Sequence, residues 1–114
     1  MLTIESLKNL GADTDEGLGR CFGNEDFYLR LVKMIPGDGN FDSLKNALEQ
    51  RDLDKAFEAA HALKGVLGNL SLTPMYEKAS EITELLRARK DVDYAPLLSE
   101  LLNMRDELLR LCAD

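Results

Sequence analysis

His61 is the only histidine in a chain of 114 residues, and three neighbours give it chemical context: Lys64, Gly65 and Gly68. On a helix, residues three, four and seven positions apart share one flank. A free imidazole titrates near pH ~6.5, so at neutral pH its unprotonated form is available as a nucleophile. Lys64 supplies a cation within reach of anything negative attached to that ring. Gly65 and Gly68 each cost a helix about 1 kcal/mol relative to alanine. What they offer in return is the absence of side-chain bulk one and two turns along from the imidazole. The ring stays accessible, and another protein's backbone can come close. This combination suits phosphoryl transfer, which needs in-line positioning and charge stabilisation more than covalent help from the protein. No general base, metal cluster or nucleotide-binding loop accompanies the set, so the remainder of an active site must come from a partner.

The same residues have plainer readings. A lone helical histidine is more often structural or merely exposed than reactive, most lysines at helix edges only solvate them, and Gly68 can serve close helix packing. A metal site would need three ligands including His61, and no spacing presents them. Cys21 and Cys112 lie far apart without a CxxC partner and read as buried thiols. A Cys–His nucleophile pair would also need a third group to orient it. Leu72 and Met75 follow the His61 segment on its flank, either as exposed docking contacts or as ordinary core at a helix junction.

Composition narrows the function classes. Twenty-one acidic against 14 basic residues give a net charge of −7. A negative field of that size, with no offsetting Lys/Arg cluster, opposes nucleic acid and anionic membranes. Apolar runs are far shorter than the roughly 20 residues needed to span a bilayer. Met1-Leu2-Thr3-Ile4-Glu5 lacks the basic segment and apolar stretch of a secretory signal, so a cytoplasmic location is expected. A hydrophobic fraction of 45% permits a core, and with 6% aromatics that core is mainly aliphatic.

The elements that must position His61 are helical throughout, with no convincing period-2 strand. Thr3 to Leu10 is a short amphipathic piece ended by Gly11. Thr14 is predicted to cap a second short helix from Asp15 to about Phe22, followed by Gly23. Asn24 caps a stronger helix to about Ile35, with Phe27, Leu31, Met34 and Ile35 on one face, and Pro36-Gly37-Asp38-Gly39 breaks it. Phe41, Leu44, Ala47 and Leu48 mark the next helix, ending near Arg51. Asp52 caps residues 53–70. Thr73-Pro74 starts a helix carrying Met75, Ala79, Ile82 and Leu86 to about Lys90. Asp93 begins the last, with Leu97, Leu101, Met104, Leu108 and Leu111. Four substantial helices with short connections predict an all-α fold: an antiparallel four-helix bundle with short additional N-terminal helices, in a single domain over 1–114. A monomer is the simplest expectation, since no long heptad seam is present.

On a wheel of about 100° per residue, Leu53, Ala56, Ala60, Leu63, Leu67 and Leu70 form one apolar sector, with Phe57 at its edge. Glu58, Ala62 and Asn69 point roughly the other way. His61 falls between, on the flank that Lys64, Gly65 and Gly68 share.

His61-Ala62-Leu63-Lys64-Gly65, followed by Gly68-Asn69-Leu70, resembles the signature of histidine-phosphotransfer (HPt) domains. The likeness extends upstream to Gly11-Ala12-Asp13, Leu18-Gly19-Arg20-Cys21-Phe22-Gly23-Asn24 and Phe27-Tyr28-Leu29, and downstream to Ala79-Ser80-Glu81-Ile82. Val66 and Leu67 replace small residues common after the Lys-Gly pair, and Ser71 replaces a usual glycine. The resemblance implies a four-helix bundle displaying a phosphorylatable histidine, with His61 as phosphoacceptor, Lys64 as electrostatic stabiliser and Gly65 as the space-maker. It implies response-regulator receiver domains as partners, with a hybrid sensor histidine kinase as a candidate upstream source. No cofactor of its own is expected, Mg²⁺ coming with the receiver. Docking is expected to bury Glu58, Gly65, Gly68 and Leu72 around His61. The chain would be a phosphoryl carrier rather than a self-contained enzyme, with no ATP-dependent kinase activity, for it has no Gly-rich phosphate loop or kinase motif. The alternatives are a receiver-binding adaptor or degenerate module that carries no phosphate, and an unrelated helical structural domain, which leaves the interior glycines unexplained.

Overall fold

A computed structural model describes residues 1–113; Asp114, the last residue of the expected 1–114 unit, lies outside them. Among the described residues there are seven α-helices and no strand: α1 (Ile4–Asn9), α2 (Thr14–Arg20), α3 (Glu25–Met34), α4 (Asn40–Glu49), α5 (Leu53–Asn69), α6 (Thr73–Arg87) and α7 (Ala95–Ala113). A 3₁₀ turn, Ile35–Gly37, follows α3, where Pro36 ends the helix. The molecule is all-helical and measures 41 × 25 × 20 Å. No described helix is long and apolar enough to cross a membrane.

Side-chain caps set most helix starts. Asn24 Oδ1 accepts from the Phe27 amide at 3.0 Å, and Asp52 Oδ1 from the Lys55 amide at 3.1 Å. Thr3 and Ser6 form a reciprocal capping box on α1. The start of α2 differs from expectation. Asp13, not Thr14, is its cap, accepting from the Glu16 amide at 3.1 Å, while Thr14 is the buried first residue of the helix. That helix also stops at Arg20. Phe22 and Gly23 turn into the left-handed region (φ 58 and 73), and the Gly23 amide reaches back to the Leu18 carbonyl at 2.7 Å. Similarly, α6 ends at Arg87 rather than Lys90, because Arg89 turns left-handed (φ 52) and the Lys90 amide donates to the Leu85 carbonyl. Asp93 stands just ahead of α7, its carboxylate accepting from the Ala95 amide.

The helices from α4 onward pack in chain order: α5 against α4 and α6, α6 against α7, and α7 against the 3₁₀ turn. Their buried side chains form one connected apolar cluster that also takes in Leu7 of α1 and Tyr28 of α3. The apolar sector of α5 lies in it as expected for Ala56, Ala60, Leu63, Leu67 and Leu70; Leu53 is only half-buried, and Ala59 joins the core unforeseen. Burying a leucine such as Leu63 or Leu67 contributes roughly 1.5–3 kcal/mol, so this sector holds the rotation of α5 firmly. Rotation decides which flank faces out.

The core face of α3 is also turned relative to expectation. Phe27 and Met34 are 40% and 67% exposed, whereas Tyr28 and Val32 are fully buried. Tyrosine looks like the poorer core residue until its hydroxyl finds a partner. Here it donates to the Leu70 carbonyl at 2.7 Å, and Phe27 is left outside.

Candidate functional site

His61 is exposed on the outer flank of α5, one turn before Gly65, and lines an open groove with Lys64, Gly65 and Gly68. Lys64 is half-buried and lines the groove, its side chain in no hydrogen bond or ion pair among the described residues and its charge felt by the Glu84 carboxyl, so its ammonium can meet an anion there. A β-carbon built on Gly65 would meet nothing within 4 Å. The space there is real and opens to solvent.

Gly68 is different. A β-carbon on it would sit 3.0 Å from two carbons of the Tyr76 ring on α6. Its carbonyl accepts from Arg20 Nη1, bringing a cation to the C-terminal end of α5, where the helix dipole favours one. Gly68 therefore permits close packing and supports one wall of the groove. Leu72 needs a correction. It is 4% exposed, at the cap position of α6, and belongs to the core, because the short turn from α5 to α6 folds it inward with Met75. It is not part of the exposed face. Glu58, by contrast, is exposed on α5 one turn before His61.

The far wall of the groove comes from α2 and is closely stitched. Arg20 Nη2 lies 3.4 Å from Glu16, and the Ser71 hydroxyl donates to the same carboxylate at 2.7 Å. The Asp13 amide donates to the Ser71 carbonyl at 2.9 Å. Ser71 itself is left-handed (φ 56), which explains why glycine suits the position; its hydrogen bond to Glu16 is what the serine gains there. Gly17 allows α2 to settle, because a β-carbon there would lie 2.6 Å from the Tyr28 ring. Burial pushes the Tyr28 hydroxyl up to about 12.

On the side facing α6, the exposed Glu84 carboxyl is held below its usual range. The hydrogen bond from Arg87 is the main cause, and the charges of Lys64 and His61 add to it. Glu84 thus faces the cationic side of the site. The His61 ring stacks on Phe57, one turn back on α5.

Sequence reasoning found the α5 residues and missed those contributed across the groove. Arg20 belongs to the stretch that resembles the family, but only the tertiary approach of α2 reveals its target. Tyr76 was foreshadowed by Gly68 alone, since a glycine inside a helix invites a bulky neighbour.

The fold and site define a class: a helical bundle that displays an accessible, cation-flanked histidine on a long helix. The family model of the Hpt domain matches residues 37–111, and the chain belongs to that family. Among curated proteins and solved structures, none matches the chain. The matched span holds His61, Lys64, Gly65 and Gly68, while Arg20 and the rest of α1 to α3 precede it. Membership carries the general function of histidine phosphotransfer within phosphorelays.

Proposed function

We propose that His61 accepts a phosphoryl group from the phosphoaspartate of a response-regulator receiver domain and passes it to a second receiver. The observation that carries this reading is the exposed imidazole sharing an open groove with the Lys64 cation and the empty space at Gly65. In the reaction the unprotonated ring nitrogen donates its lone pair to phosphorus. The bond from phosphorus to the aspartyl oxygen breaks, the carboxylate leaves with that electron pair, and the proton on the other ring nitrogen stays in place. Lys64 offsets charge on the transferring group, and a Mg²⁺ brought by the receiver would supply further charge stabilisation.

In this reading the receiver covers His61, Glu58 and Gly65, touches the Gly68 end of the groove, and leaves Leu72 in the core. The contact is of the modest area usual for transient signalling. The chain works as a monomeric carrier in the cytoplasm of a two-component system, without ATP-dependent kinase activity of its own.

The test is transfer of labelled phosphate from phosphorylated receivers to the wild type and to His61→Gln. The wild type is expected to take up label and the variant none. Equal labelling of both sinks the proposal. Binding without labelling of the wild type supports the adaptor alternative instead.

A further inference from the structure

Phe57 and His61 stand four residues apart on α5, their ring centroids 5.5 Å apart and their planes 21° from parallel. The stack is braced from α6: the Arg87 guanidinium carbon lies 5.0 Å from the centre of the Phe57 ring, and Arg87 Nε donates to Glu84 at 3.0 Å. On its N-terminal side the imidazole therefore has an aromatic wall, and toward Gly65 it has open space.

Helical side chains lean toward the N-terminus of their helix, which carries the imidazole over residue 57. An aliphatic residue there would offer apolar contact but no preferred plane. The terminal torsion of histidine is intrinsically broad, and an exposed ring on such a torsion reorients in picoseconds to nanoseconds. A near-parallel aromatic neighbour favours one plane over the others. That plane matters because the reactive lone pair lies in it, so its tilt sets the line along which phosphorus must approach.

We propose that Phe57 is a positioning residue for phosphoryl transfer, fixing the plane of the His61 imidazole toward the open side of the groove. The role rests on the reading of His61 as phosphoacceptor. Phe57 also packs at the edge of the core, so the role is separated from packing by readouts that packing alone would not move: the phosphoramidate rate and the His61 ring-proton shifts.

The test compares Phe57→Leu, which keeps apolar bulk without a plane, with Phe57→Tyr, which restores the plane, and Phe57→Met as a second flexible replacement should leucine disturb folding. Each is assayed for transfer from a phosphorylated receiver, for receiver affinity, and for phosphorylation by phosphoramidate. That small donor gives its phosphoryl group to the imidazole as the P–N bond breaks and ammonia leaves, and it can approach along whatever line the ring presents. The leucine and methionine variants are expected to slow transfer from the receiver about tenfold, with affinity and the phosphoramidate rate within about twofold of wild type. Tyrosine is expected to restore the rate. In NMR spectra of the free protein, the His61 ring protons are expected to carry a ring-current shift that Phe57→Leu removes. Wild-type transfer by both flexible variants overturns the role. So does slowing that tracks lost affinity or appears equally with phosphoramidate, and so does a wild type without the ring-current shift. A wild type that no receiver labels overturns the phosphotransfer reading as a whole, and is thereby distinguished from a labelled wild type that is indifferent to Phe57.

Discussion

At Gly65 an added β-carbon would meet nothing within 4 Å, while three residues on, at Gly68, it would meet the Tyr76 ring at 3.0 Å. The two glycines share a helix, a flank and a propensity cost, and they do opposite things. The turn from His61 to Gly65 is kept empty. The last turn of α5 is filled: Tyr76 covers Gly68, Arg20 takes its carbonyl, and the Tyr28 hydroxyl takes that of Leu70. One end of the groove is open for a visitor, and the other is anchored to α2 and α3 so that the open end keeps its shape. A glycine inside a helix is thus a statement about its surroundings, and only the surroundings say whether it serves access or packing.

The contrast can be broken most forcefully at its open end. Gly65→Leu is expected to reduce transfer from a receiver about 100-fold or more, since a displaced partner loses in-line geometry. Its stability should match or exceed wild type by about 1 kcal/mol, as an exposed helical glycine gives way to a better helix former. Retained transfer would refute the access argument.

At the anchored end the largest stability effect belongs to Gly17→Ala. Its methyl group would press into the buried Tyr28 ring at 2.6 Å. Overpacking of this kind costs about 1–3 kcal/mol, which outweighs the gain of up to about 1 kcal/mol in helix propensity. Urea denaturation should register the net loss, and stability at or above wild type would mean that α2 is not wedged there. The direct comparison of α5 glycines is finer. Gly65→Ala is expected to stabilise by about 1 kcal/mol, and Gly68→Ala by clearly less, because the Tyr76 ring must give way. Equal stabilisation by the two alanines would erase the distinction between the turns.

A last effect is seen only at alkaline pH. Tyr28 is pushed up to about 12 from an ordinary 10.0, chiefly by burial, so the folded state holds its proton more tightly than the unfolded chain does. Its contribution to stability is full below pH 10 and is lost as pH rises toward 12. The substitution Tyr28→Phe should flatten that part of the stability–pH curve measured by denaturation. An unchanged slope would show that the hydroxyl does not titrate with unfolding.

Much of the architecture was legible because helix signals are local: the caps Asn24 and Asp52, the stop at Pro36, the start at Pro74, and the apolar repeats of α5 and α6 all act within a few residues. The flank of α5 was legible for the same reason, since its buried sector fixes where His61 points. What escaped depends on tertiary partners. The turn of α3 that buries Tyr28 and exposes Phe27 follows from a carbonyl 42 residues away. Leu72 carries no local mark that separates a docking contact from core, and the fold decides it by turning the α5–α6 junction inward. Arg20 looks like an ordinary helix-end cation until α2 is laid against Gly68. The part of the site on α5 could be read in one dimension; the walls around it could not.

The central claim is that the phosphoryl group lands on the exposed imidazole at the open turn. The most direct measurement is to load the protein from a phosphorylated receiver and locate the phosphate by peptide mass spectrometry, together with its lability. The expected result is an acid-labile, alkali-stable phosphate on His61 alone. Phosphate on a carboxylate or hydroxyl elsewhere, with His61 unmodified, would contradict the claim.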